Sequence, residues 1–466
     1  MLDLLLLIAC IILLGGFALL FDWRNGAILV LLVGFLQDPL RKLVPDQPVF
    51  LTVSVVGVVA LMILPALSKV GGIRLSPLFH SHQNLAFRIW LFAALVSVQA
   101  FITFVKTGSY ILPIIGFLAY LLPFILLWLG YNYFQSFRDF EKLIALYVFC
   151  CSIAAIGLFL SWLGVDWPIL QSVGEGLEIT DSRVAGGILE AHSGFLRSPE
   201  IAAWHMGTAT CSVLLMGFIR TDRRWGLWTI SLVPFFIAAG LLTGRRKMIV
   251  IVISFVLVYL LQTVLLGQQR GRTKLISAIL LVLAILMALQ LDTASPLQDY
   301  WIRGSNSFDE FLPRLQGLGL ETVWNAVQVG GLFGLGAGLA SQGSQHFVTG
   351  IQGSAEGGMG KITLELGLPG LILVFWLAWG LGQYLWQLLR QIQLMNPLLL
   401  SLFLGITAFL ISNVAAYTIA SQAFGDPFIL IILGTCLSFV LAAPRLIYWS
   451  TIFSSYQEAS CNNGHL

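Results

Sequence analysis

Charged side chains are scarce: only 10% of the 466 residues are Asp, Glu, Lys or Arg, against 58% hydrophobic residues, where a soluble domain carries roughly 25% charge. That scarcity leaves too little polar surface to cover a water-soluble fold, and the mean hydropathy of +0.90 agrees. Cysteine is equally sparing. Of Cys10, Cys150, Cys151, Cys211, Cys436 and Cys461, all but the last fall inside apolar runs, where they behave as small hydrophobes, so neither a disulfide framework nor a zinc pattern follows. No basic stripe with interleaved aromatics appears and the net charge is only +3, which argues against nucleic acid as a partner. Acidic and basic groups are also nearly missing from the apolar centres of the runs, where ion-coupled transporters carry the groups that bind the coupling ion.

What the sequence does have is a succession of long apolar runs, among them Leu2 to Phe21, Tyr110 to Trp128, Leu143 to Leu163, Met248 to Leu266 and Leu398 to Ile411. Each approaches the ~20 residues needed to cross ~30 Å of hydrocarbon. The first ends at Asp22-Trp23-Arg24 without a small-residue cleavage site, so it reads as a retained helix and not a signal peptide. The expected fold is an all-α polytopic membrane protein with spans near 2–21, 48–67, 87–105, 110–130, 142–164, 200–219, 226–243, 248–266, 275–291, 361–381, 397–417 and 427–443, about 12 in all. Gly26 to Leu36 is apolar but short; it is either interfacial or a thirteenth crossing.

The short basic runs Arg220 to Arg224 and Arg270 to Lys274 share one parity and mark the cytoplasmic side. The connections 165–199, 244–247 and 292–360 are then expected to face outward, the last a loop of roughly 70 residues, far above the usual connection length. This divides the chain into an N-terminal bundle, 1–291, carrying the outward loop 165–199; the long outward loop, 292–360; and C-terminal helices with a cytoplasmic tail, 361–466. Positive charge is not confined to the inside: Arg183, Arg197, Arg245, Arg246, Lys247, Arg303, Arg314 and Lys361 lie on the outward side. One reading is headgroup snorkelling; the other is a bound anion. Ser198-Pro199-Glu200 is a helix start, with an N-cap, a proline at the first position and an acid in the first turn, and it fixes Arg197 at a helix mouth. Arginines held this way fork two N–H groups onto phosphate oxygens.

Three stretches carry a resemblance: "RVAGGILEAHSGFLRSPEIAAWHM" from Arg183 to Met206; "LLTGRRKM" from Leu241 to Met248; and Arg314 through Trp324 and "FGLGAGL" at Phe333 to Leu339 to "KITLELGLPG" at Lys361 to Gly370. In order and placement they resemble the O-antigen ligase and polymerase superfamily of bacterial envelope glycan assembly. The resemblance implies a glycosyltransferase of the bacterial inner membrane, metal-independent and without a cofactor, its active site facing the periplasm. Its donor is then a polyprenyl-diphosphate-linked glycan and its acceptor a glycan or a lipid, among membrane lipids, with polymerisation favoured over ligation. Substrate binding falls to Arg183, Arg197, Arg245, Arg246, Arg314 and Lys361. Where the family places a histidine shortly before the glutamate of the Glu365-Leu366-Gly367 step, this chain has Glu356, with His346 further upstream. Either side chain is a competent general base once its environment tunes it, and Glu190 and His192 are secondary catalytic candidates. "GLGAG" at Gly334 to Gly338 has no βαβ unit around it and reads as a turn. Gln37 to Lys42, "QDPLRK", reads as an interfacial anchor, and His80 and His82 as a solvated loop. The competing function is a transporter or flippase for a small anion or a lipid-linked glycan.

Overall fold

The computed structural model describes residues 22–45, 47–70, 83–171, 173, 178–180, 188–219, 223–267, 298–305, 313, 315–341, 357–395 and 397–463. The expected spans 2–21 and 275–291 and much of 292–360 lie outside the described residues. The described chain is predominantly helical, and eight of its helices are long and apolar enough to cross a membrane, so the protein is an all-α multi-pass membrane protein.

Helices α1 (Gly26–Leu43), α2 (Ser54–Val70), α3 (Gln83–Thr107), α4 (Ile111–Tyr133) and α5 (Phe137–Trp162) run up and down in succession. A short antiparallel ribbon follows, β1 (Glu178–Thr180) with β2 (Ile188–Glu190), in which Ile179 stands opposite Leu189. Then come α6 (Pro199–Ile219), α7 (Arg223–Leu242), α8 (Lys247–Leu265), the short α9 (Gln298–Ser305) and α10 (Thr322–Gly330). The long α11 (Gly358–Met395), α12 (Pro397–Ile419) and α13 (Pro427–Asn463) complete the described chain. The ribbon and the turns after α1, α6's start, α7, α9 and α12 gather at one end of the bundle, termed here the loop-rich end.

The short segment at Gly26 is part of an 18-residue helix that runs from one end of the bundle to the other, although it is not among the eight helices apolar enough to cross a membrane. Just before α1, Arg24 donates to the Tyr133 carbonyl and to Asp139 at 3.0 Å, at the α4–α5 junction. Near its other end Asp38 pairs with Arg197, at the loop-rich end. Its 18 residues span about 27 Å at ~1.5 Å per residue, close to a full hydrocarbon thickness. Sequence windows miss it because Asp38, Arg41 and Lys42 shorten the apolar run to the part before Gln37.

Between spans, lipid offers no solvent to expel, so close contact and hydrogen bonds do the joining. Tight aromatic packing is one device: Phe140 of α5 stacks on Phe439 of α13 with centroids 4.0 Å apart and an interplanar angle of 6°. A paired polar contact is another, Trp204 Nε1 of α6 donating to Asn413 Oδ1 of α12 at 2.7 Å. Helix α11 is broken at Gly367, whose φ of 73° and ψ of −176° leave the helical region, and Pro369 follows without an N–H to continue the ladder. The carbonyls of Leu364 and Glu365 are therefore freed, and the segment after α10 fills them: Leu335 N donates to Leu364 O at 2.8 Å and Gly336 N to Glu365 O at 3.1 Å.

Candidate functional site

At the loop-rich end the helix start at Ser198-Pro199-Glu200 forms as expected, with Ser198 Oγ accepting from Ile201 N at 3.4 Å. It holds Arg197 between two carboxylates. Arg197 Nη1 donates to Asp38 Oδ1 at 3.0 Å, Nη2 to Asp426 Oδ2 at 2.6 Å, and the Arg197 backbone N to Asp38 Oδ2 at 3.1 Å. Both carboxylate side chains are only 2% exposed. Asp426 also caps α13, accepting from Phe428 N at 2.6 Å and Ile429 N at 3.4 Å, with Pro427 at the first helical position. Burial pulls the Arg197 guanidinium down, but Asp426 and Asp38 more than offset it and hold it above its ordinary value. Burial pushes the Asp426 carboxyl up, with Arg197 partly opposing. Arg197 is thus committed to the protein, and its trio carries one more negative than positive charge.

A ring of contacts spreads from this trio. Glu200, in the first turn of α6, lies 3.0 Å from Arg245 Nε; the N–H is not aimed at the oxygen, so this is charge proximity and not an aligned hydrogen bond. Arg246 follows at the N-cap position of α8, and Lys247 Nζ reaches Gln422 Oε1 at 3.5 Å in the turn that ends at Asp426. Helix α9 closes over the α7–α8 turn, where Arg303 Nε donates to Gly244 O at 3.0 Å. Lys42 Nζ donates to Gly194 O at 2.6 Å, tying α1 to the segment just before Arg197. Arg41, Lys42, Arg197, Arg245, Arg246, Lys247 and Arg303 gather here, but Asp38, Asp166, Glu178, Glu190, Glu200, Asp299 and Asp426 lie at the same end, so positive charge is concentrated at the α7–α8 turn and not over the whole end.

His192 is buried beside the same end. Its backbone N donates to Leu242 O at 3.2 Å, Nδ1 lies 3.2 Å from Ser161 Oγ, and Nε2 lies 3.1 Å from Tyr300 Oη. Tyr300 donates its own proton to the Glu190 carbonyl at 2.8 Å, so Nε2 donates to Tyr300, and the neutral imidazole that burial favours accepts from Ser161 at Nδ1. Burial lowers its pKa, with the Glu190 carboxylate, 4.0 Å away, opposing. With both nitrogens engaged, His192 latches α9 and β2 to α5. The Glu190 side chain itself is mostly exposed.

The structure therefore brings Arg197, Arg245, Arg246, Glu190 and His192 to one end. Lys361 sits buried in the first turn of α11, at the same end but beside a second cluster: Gly358 abuts Tyr417 of α12, and Glu365, one turn on, accepts from Tyr120 Oη at 2.7 Å. Arg183, Arg314, His346 and Glu356 lie outside the described residues. Asp426 was not singled out from the sequence, although its Asp-Pro step at a helix start is the signal by which it could have been found; Asp38 lies in the Gln37 to Lys42 stretch read as an interfacial anchor, whose Gln37, Asp38 and Lys42 are instead buried within the last turns of α1. Among the described residues no group of His, Cys, Asp and Glu is arranged to hold a metal ion. No family model matches the chain, and no curated protein matches it.

Proposed function

We propose that the protein is a membrane glycosyltransferase that polymerises or ligates polyprenyl-diphosphate-linked oligosaccharides, with its loop-rich end on the periplasmic face of the bacterial inner membrane and 12–13 spans in all. The observation that carries this reading is the convergence of Arg245, Arg246, Lys247 and Arg303 around the Arg197 trio. A diphosphate leaving group carries two or more negative charges and needs several convergent cations. The sequence resemblance supplies the substrate class.

In this reaction the acceptor hydroxyl oxygen attacks the anomeric carbon of the donor glycan while the bond from that carbon to the diphosphate breaks. The hydroxyl proton passes to a base, Glu356 or His346, and polyprenyl diphosphate departs with the electron pair, inverting the anomeric centre. Arg197 is a positioning residue: its carboxylates spend its charge, and it fixes the mouth of α6 that carries Glu200. Arg245, Arg246 and Lys247 face the developing negative charge, with Arg183, Arg314 and Lys361 completing substrate binding. Stabilising charge as it develops is usually the largest catalytic contribution. The buried Glu365 does not favour the transporter alternative, since its carboxylate is consumed by Tyr120 and Ala340 N. The purified protein, incubated with a polyprenyl-diphosphate-linked oligosaccharide, separates the two: a transferase releases free polyprenyl diphosphate, whereas a flippase moves the donor intact.

A further inference from the structure

Residues 315–341 belong to the connection expected to be a water-facing loop, yet their surroundings are those of a span. Helix α10 runs beside the first turns of α11: a side chain on Gly360 would meet Thr322, and one on Gly330 would meet Leu364. The chain turns at Leu332 and Phe333, level with the break at Gly367, where Leu368 N donates to Leu332 O at 2.9 Å. It returns along α3 and α4, and Gly338, at φ 93°, lies against the Leu112 carbonyl where no Cβ fits. From Leu335 to Ser341 most of this irregular backbone is paired within the protein. Gln99 Nε2 donates to Phe333 O at 2.8 Å, Lys106 Nζ to Leu335 O at 2.8 Å and Thr103 Oγ1 to Ala337 O at 2.8 Å; Ala340 N donates to Glu365 Oε1 at 2.8 Å. Non-helical backbone at membrane depth is tolerated where protein holds it, and the returning segment up to Ser341 is held in this way.

Depth follows from the neighbours. Gln99 lies two turns before the end of α3, about 12 Å along its axis, and Gly367 lies about 14 Å along α11 from Gly358, at ~1.5 Å per residue. At that level the outer surface of α3 presents Val98 and Phe101 and that of α11 presents Ile372, all exposed and apolar. Leu332 and Phe333, 58% and 74% exposed, continue that belt. We propose that residues 315–341 form a re-entrant hairpin that dips into one leaflet beside α3 and α11, its tip at Leu332-Phe333 seated among lipid acyl chains and its backbone pinned by Glu365, Gln99 and Thr103. The hairpin stands independently of the transferase reading, because it rests only on the membrane-spanning character of α3 and α11.

The test uses single cysteines at Leu320, Val329 and Phe333, each nitroxide-labelled in full-length protein whose native cysteines have been replaced, in lipid nanodiscs. Collision with oxygen, which concentrates in acyl chains, is compared with collision with a water-soluble nickel chelate. The oxygen-to-nickel ratio is expected to rise from Leu320 through Val329 to Phe333 and to reach at Phe333 the value of a label at Val98. Nickel-dominated collisions at all three overturn the proposal, and so does a uniform ratio, which means a segment lying flat on the surface. If cysteine replacement prevents folding, p-benzoylphenylalanine at Phe333 in the native background serves instead: photocrosslinks to phospholipid are expected, and their absence overturns it.

Discussion

Removing the Arg197 side chain leaves Asp38 and Asp426 facing each other without a cation, each 2% exposed. Breaking a buried ion pair by deleting one partner costs about 3–5 kcal/mol, because the charge left behind has neither water nor a partner. Asp38→Asn is a milder change. Its single amide oxygen can accept from Arg197 Nη1 or from Arg197 N but not both, so one bond is weakened and the other lost, while the remaining Arg197–Asp426 pair is neutral; the cost is about 1–3 kcal/mol. Arg197→Met combined with Asp38→Asn and Asp426→Asn removes all three charges and is expected to recover much of the loss. The measurement is the fraction of protein remaining monodisperse in detergent after heating, across a temperature series. The expected order of midpoints is wild type, then Asp38→Asn, then Arg197→Ala, with the triple variant above Arg197→Ala. An Arg197→Ala midpoint equal to wild type refutes the buried trio and frees Arg197 to act on substrate.

Arg246→Ala with Lys247→Ala is expected to lower turnover per folded molecule by at least tenfold, which turnover measured against the folded fraction from the same heating series checks. The His192 latch weakens in acid: the folded state holds a lowered pKa, so the unlatched state binds the extra proton, and stability is lost as pH falls from the ordinary value near 6.5 toward the folded one. Hydrogen exchange in α9 is expected to accelerate between about pH 7.5 and 5.5, and His192→Gln to remove that dependence. Gly367→Ala forces a side chain onto φ 73° and against the Phe333 backbone; loss of expression or a strongly lowered midpoint is expected. Glu356→Gln is expected to abolish transfer while sparing donor binding; retained activity there with loss in His346→Ala assigns the base to His346.

Apolar runs and the helix start at Ser198 were legible because each depends on local chemistry. The full length of α1 was not, since its charges are held through partners more than a hundred residues away, Asp38 through Arg197 and Lys42 through Gly194. The same holds for residues 315–341. Their glycines read correctly as turns, but their depth is set by carbonyls that the Gly367–Pro369 break frees in another element. Arg197 was legible as a held arginine at a helix mouth; that two Asp-Pro steps neutralise it is a tertiary fact no spacing encodes.

The most direct measurement of the central claim is turnover by purified protein in sealed vesicles of known orientation, supplied with polyprenyl-diphosphate-linked oligosaccharide on the loop-rich side. Release of free polyprenyl diphosphate together with a lengthened or transferred glycan, lost in Arg246→Ala with Lys247→Ala, is the expected result. Donor that binds and crosses the membrane with its diphosphate linkage intact contradicts it.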